Sequence, residues 1–73
     1  MIRFRLHILM AEKGPGRPYK IKEVAEGAKL SEMTVSGIYH NRYKRMDLET
    51  LDKLCVFFES EPGDFLQHIP DPE

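Results

Sequence analysis

Apolar residues recur along the chain in four runs of helical spacing, broken by short stretches of proline, glycine and charge. In "FRLHILMAEK", Leu6, Leu9 and Met10 share one side with Ile2 ahead of them, and Gly14 stops the run, which predicts a first helix. Its beginning has two readings, because Ile2, Phe4 and Leu6 alternate with Arg3 and Arg5 as in an extended segment. "GPGRPY" cannot continue a helix, so residues 13–19 are a loop. "KIKEVAEGAK" sets Ile21, Val24, Ala25 and Ala28 at helical spacing and predicts a short second helix despite the cost of Gly27. Ser31 caps a third helix that runs to about residue 41, leaving "AKLS" as a tight connection. After the aperiodic "RYKRM", Asp47 caps a fourth helix, "LETLDKLCVFFES", in which Leu48, Leu51, Leu54, Cys55 and Phe58 fall on one face. "EPGD" interrupts it, and "GDFLQHI" predicts a last helical turn that offers Phe65, Leu66 and Ile69 to the core. Residues 70–73, "PDPE", fray.

The third helix has a polar face of an uncommon kind. At about 100° per residue, with Val35 inward, Ile38, Tyr39, Ser31 and Arg42 lie within about 60° of it and form the packed side. Met33, Ser36, Gly37 and His40 lie on the opposite arc, with Thr34 and Asn41 at its edge. A helix that merely faces water more often carries Lys and Glu four residues apart, whereas small side chains let another surface approach closely.

Composition narrows the possibilities. Seventy-three residues, 41% hydrophobic and 32% charged, make a single domain (1–73) with one small core and little room for a catalytic cleft. The lone Cys55 excludes an internal disulfide and fits a reducing cytoplasm; its place on the apolar face of the fourth helix reads as burial. No apolar run approaches the roughly 20 residues of a membrane span, and "MIRFRLHILM" carries charges inside its apolar stretch, unlike a signal peptide. The net charge of −1 conceals a segregation: between Lys13 and Arg45 eight Lys or Arg stand against three acids, and elsewhere three basic residues stand against nine acids. A basic middle suits a polyanion such as nucleic acid; the competing reading is a solvated surface with accidental clustering. His7, His40 and His68 are scattered without a metal-ligand spacing, and no nucleophile set, phosphate loop or paired carboxylates occur, so no metal, cofactor or enzymatic activity is expected.

Two short helices joined by a tight turn, the second with a clean outward face, make a helix-turn-helix whose second helix can enter the major groove. The segment from "KEVAEGAKLSEMTVSGIYHNRYKR" through "DLETLDKLC" to "PGDFL" resembles the Cro/C1-type (XRE) helix-turn-helix proteins of bacteria and phages. Ala25, Leu30, Ser31, Val35 and Ser36 fall on that family's small, aliphatic, capping and core positions, and the likeness covers nearly the whole chain. The resemblance implies an all-α, lambda-repressor-like bundle of about five helices, with double-stranded DNA as partner and a homodimer as the binding unit. Carried over residue by residue, it makes Glu32, Met33, Ser36 and Gly37 base-facing, and Ser31, His40, Asn41 and Arg42 phosphate contacts. Lys44 and Arg45 follow directly from the recognition helix and extend the phosphate grip.

Three departures qualify this pattern. Ile21 replaces the Gln that often bonds a phosphate at the start of the family's second helix. Lys29 stands where the family's turn usually has Gly, so it must accept a left-handed backbone at a cost on the order of 1 kcal/mol, or the turn differs. "PGRP" reads as an insertion that brings Arg17 and Lys20 to the N-terminus of the second helix, where they replace the missing Gln; a plain surface loop is the alternative.

Glu32 can accept from cytosine N4, or can simply favour its helix N-terminus, and Met33 can touch a thymine methyl. Tyr39 is assigned to the core, Tyr43 to packing or a phosphate. Phe57 and Val56 form an exposed patch for a two-fold dimer or a spare core contact. The competing function is a protein-interaction module, antitoxin-like or a regulatory adaptor, that keeps the fold without strong DNA binding.

Overall fold

The computed structural model describes residues 1–71; Pro72 and Glu73, the end of the segment expected to fray, lie outside the described residues. The elements are β1 (Ile2–Phe4), α1 (Leu6–Glu12), α2 (Ile21–Ala28), α3 (Glu32–Tyr39), α4 (Leu48–Phe58), a 3-10 turn (Pro62–Asp64) and β2 (Leu66–His68). The expectation of an all-α bundle of five helices is corrected at both ends of the chain. Among the described residues there are four α-helices and a two-stranded antiparallel sheet, with Ile2 opposite His68, Arg3 opposite Gln67 and Phe4 opposite Leu66.

The extended reading of the first residues prevails because the alternation of Ile2 and Phe4 with Arg3 suits a strand with one apolar face. The expected last helical turn becomes β2 for a related reason. Only a few residues separate Gly63 from Pro70, too few to offset the cost of helix nucleation, whereas pairing with β1 gives the backbone partners at once. Arg5 N–H donates to the Phe65 carbonyl at 2.7 Å and Ile69 N–H to the Met1 carbonyl at 2.8 Å, extending the ladder at both ends. Phe65 still closes the core, 1% exposed.

The helix ends follow local chemistry. Ser31 Oγ accepts the Thr34 N–H and Asp47 Oδ1 accepts the Thr50 N–H, the expected N-caps of α3 and α4. Beyond their last turns α2, α3 and α4 each reach a left-handed residue that is not glycine, at once in Lys29 (φ 59°) and Glu59 (φ 50°) and after His40 in Asn41 (φ 58°). In each case the next N–H reaches back five residues, Leu30 to Ala25, Arg42 to Gly37 and Ser60 to Cys55, so the last carbonyls are bonded. Lys29 thus adopts the left-handed conformation that the family's glycine would take.

Leu6, Met10, Val24, Val35, Ile38 and Leu54 fill the centre, with Phe58 and Phe65 closing one side by an edge-on ring contact. Two assignments on helix faces are corrected, and one that was open is resolved. Tyr39 is exposed and stands edge-on to His7 and His40, because Ile38 already fills the space that α3 presents to α1. Leu48 is 83% exposed, since the first turn of α4 projects beyond the core that Leu54 and Phe58 reach. Phe57 is half-buried and lies across Gly27 and the ring of Tyr19, whereas Val56 stays exposed. Gly27, which looked like a weakness of α2, is where Phe57 packs: a Cβ there would overlap that ring.

Candidate nucleic-acid interface

The connection Lys29–Leu30–Ser31 turns the chain from α2 into α3, and α3 packs on both α2 and α1 through Val35 and Ile38. What remains outward on α3 begins with Glu32 and Met33, the latter 85% exposed. Ser31 is exposed, but its hydroxyl is engaged within the helix, donating to Thr34 Oγ1 at 2.8 Å as well as capping.

One turn later the surface is less open than the helical wheel implied. Because α3 stops at Tyr39, the exit segment folds back along it, with Arg42 N–H and Tyr43 N–H both donating to the Gly37 carbonyl at 2.8 and 3.2 Å. Tyr43 lies against Gly37, so close that a Cβ there would sit 3.4 Å from its ring. Ser36 Oγ accepts from Arg42 Nη2 at 3.3 Å, and His40 Nδ1 lies 2.9 Å from the Ser36 carbonyl, where the Nδ1-protonated ring donates. Arg42, assigned to the packed side by extending the wheel, is therefore exposed and joins Ser36 and His40 on the outer side. Asn41 directs its side chain away from solvent, to the backbone of Phe4.

The cations divide into engaged and free. Lys13 Nζ donates to the Phe58 carbonyl at 2.9 Å, bonding the last turn of α4. Arg17 forms a two-pronged pair with Glu23, Nη1 to Oε1 at 2.7 Å and Nη2 to Oε2 at 2.9 Å, while Glu23 Oε1 also accepts the Lys20 N–H. The inserted loop does bring Arg17 and Lys20 to the start of α2, as expected, but a carboxylate of the chain itself holds the guanidinium there. Lys44 and Arg45 are exposed and have no ion-pair or hydrogen-bond partner among the described residues.

The Arg17 hydrogen bond, then the Lys20 backbone N–H, lower the Glu23 pKa from 4.5 to about 2. A carboxyl depressed in the folded state stabilises it fully above the ordinary value, and that contribution is lost as pH falls from about 4.5 towards 2. The pair is too exposed to weigh heavily in stability. Replacing Arg17 by Ala is expected to return Glu23 towards its ordinary titration, read as an upward shift of its carboxyl carbon resonance midpoint. It also bares a negative charge beside α2, so DNA affinity falls in Arg17→Ala and recovers in the double variant with Glu23→Gln. If Arg17 instead touched DNA directly, the double variant would stay as weak as the single one.

These features, a solvent-facing helix start, a tight turn before it and cations behind it that have no partner among the described residues, agree with the comparison with known families. A family model for the Cro/C1-type HTH DNA-binding domain matches residues 5–71. The chain belongs to this family. No curated protein matches it significantly. As a Cro/C1-type domain it is a DNA-binding helix-turn-helix of the class that regulates transcription, with α2 and α3 as its two helices. The match begins after β1, so that strand lies outside the part of the chain shared with the family model. No helix among the described residues is long and apolar enough to cross a membrane.

Two features escaped sequence reasoning. The pairing of Arg17 with Glu23 joins a loop to a helix six residues on, a spacing with no helical rule behind it. The contact of Asn41 with Phe4 spans 37 positions. For the second a local signal existed, since Asn tolerates the left-handed backbone better than most residues.

Proposed function

We propose that this Cro/C1-type domain regulates transcription by occupying an operator, with α3 laid in the major groove of double-stranded DNA. Glu32 and Met33 read base edges from the start of the helix, Glu32 accepting from a cytosine amine and Met33 touching a thymine methyl. Ser36 lies one turn further on, its hydroxyl shared with Arg42. Gly37 allows the DNA to approach. Arg42, Lys44 and Arg45 contact phosphates on one flank, with His40 beside them. On the other flank Lys20 at the start of α2 and the capped start of α3 at Ser31 face the backbone.

The observation that carries this reading is the juxtaposition of an exposed α3 start with the exposed Lys44 and Arg45 at its exit, which have no partner among the described residues. A domain this small reads only a few base pairs, so the unit that binds is a homodimer on a palindrome with half-sites about one helical turn apart. Leu48 and Val56, exposed on α4, supply apolar surface for the two-fold contact.

Selection of bound sequences from a random duplex pool, followed by sedimentation of the complex, tests both parts. The expected result is an enriched palindrome carrying two copies of the chain. A pool that stays unenriched sinks sequence reading, and a strict one-to-one complex on a palindrome sinks the dimer.

A further inference from the structure

Asn41 grips β1 with both ends of its side-chain amide. Its Oδ1 accepts the Phe4 N–H at 2.7 Å and its Nδ2 donates to the Phe4 carbonyl at 3.3 Å, and both bonds are partly buried. Neighbouring residues of a strand point their backbone groups to opposite edges, and Arg5 N–H is bonded on the β2 side. The Phe4 groups therefore face the edge that β2 cannot serve, and Asn41 satisfies them where they would otherwise form an open strand edge. Among the described residues these two hydrogen bonds are the ones that join β1 to the segment leaving α3. Beside these bonds runs a groove of about 470 Å³, lined by Ile2, Phe4, Asn41, Tyr43, Lys44, Met46 and Leu66.

The same residue sets the direction of the chain. The left-handed backbone of Asn41 ends α3, bonds Arg42 N–H back to Gly37, and sends Arg42 onto Ser36. Lys44 and Arg45 follow two and three residues later with no partner of their own among the described residues. A flexible cation loses side-chain and backbone entropy when it docks on a phosphate, and that loss shrinks if the segment carrying it is already fixed.

We propose that Asn41 is a positioning residue, not a DNA ligand: it clamps the exit of α3 to β1, so that Arg42, Lys44 and Arg45 are presented to the DNA backbone as one fixed group. This replaces the phosphate contact that the family pattern implied for Asn41, and it rests on the DNA-binding reading above. It gives β1, which lies outside the family match, a role as the fixed reference for the phosphate grip.

The test compares the parent with Asn41→Gly, which keeps the left-handed backbone and removes the amide. Hydrogen exchange of the Phe4 amide reports the clasp itself: protected in the parent, fast in the variant. Affinity for a mixed-sequence DNA duplex is then measured across salt concentrations. A neutral amide bonded to a phosphate releases no counterion, so loss of a direct ligand lowers affinity and leaves the salt slope unchanged. Loss of a positioning residue disperses the cations, so affinity falls about tenfold or more and the slope becomes shallower by about one to two units. The fall also disappears in a background that already carries Arg42→Ala, Lys44→Ala and Arg45→Ala, whereas a direct ligand would cost the same in both.

If Asn41→Gly fails to fold by circular dichroism, Asn41→Ser, neutral and shorter, takes its place in the same measurements. An unchanged slope, or an equal loss in both backgrounds, overturns the proposal. A parent that binds no duplex even at low salt overturns the DNA-binding reading and this role with it.

Discussion

Replacing Lys44 and Arg45 together by Ala is expected to weaken binding to every DNA duplex alike, and to flatten the dependence of log affinity on log salt by about two units. Each phosphate neutralised by a fixed cation releases condensed counterions, so the slope counts contacts, while sequence preference resides in base contacts, which are not expected of these residues. Both side chains are exposed, lie outside any helix or strand and have no partner among the described residues, so the fold is expected to be unchanged. Lys13→Ala removes the same charge from a different setting. Lys13 bonds the Phe58 carbonyl at the end of α4, so its loss is expected to lower thermal stability and leave the slope intact. Fluorescence anisotropy at several salt concentrations separates the two. Should the double variant keep the parent's slope, Lys44 and Arg45 are not at the interface.

Features governed by neighbouring residues were legible in the sequence. The caps at Ser31 and Asp47 follow from what a helix end requires within a few positions, and the structure has both; of the two readings left open for Lys29, a left-handed residue or a different turn, the structure has the first. Features governed by distant residues were not. β2 read as a helical turn because its apolar residues fit that spacing, and only the presence of β1 gives an extended segment its partner. Phe57 stayed open between a dimer contact and a core contact because Gly27, the residue that makes room for it, lies on another helix. The helical wheel failed for Arg42 because α3 ends at Tyr39, and angles computed beyond a helix end have no meaning. For the candidate site, the sequence identified which residue types gather around α3, but not which of them are already engaged with one another. Arg17 and Asn41 both have partners inside the chain, so neither is the freely available ligand expected, Arg17 from its place in the inserted loop and Asn41 from its family position.

Gly14→Ala is expected to be the most damaging of the glycine substitutions in the inserted loop, although Gly14 does not have a positive φ and Gly16 does, at 78°. The reason is a close backbone approach. The loop after α1 doubles back so tightly that a Cβ on Gly14 would overlap the Arg17 carbonyl oxygen and sit 2.7 Å from its carbon. Backbone atoms cannot turn aside as a side chain can, so the loop itself must open. Opening it threatens the Tyr19 N–H bond to the Met10 carbonyl, the contacts of the Tyr19 ring with Phe57 and Phe58, and the pairing of Arg17 with Glu23. A cost of about 2–3 kcal/mol is expected, as for other substitutions that force a packed region apart. Gly16→Ala meets nothing within 4 Å and incurs only the left-handed backbone penalty, about 1 kcal/mol. Gly63→Ala, with open space and no positive φ, serves as the neutral control. In a domain of this size each kcal/mol lowers the melting temperature by about 4–8 °C, so the three are separable by thermal denaturation. The Glu23 midpoint should also rise in Gly14→Ala and stay near 2 in Gly16→Ala, since only the first displaces Arg17. A Gly14→Ala protein that melts with the Gly63→Ala control would show that the loop opens freely, and that the position of Arg17 at the start of α2 owes nothing to this turn.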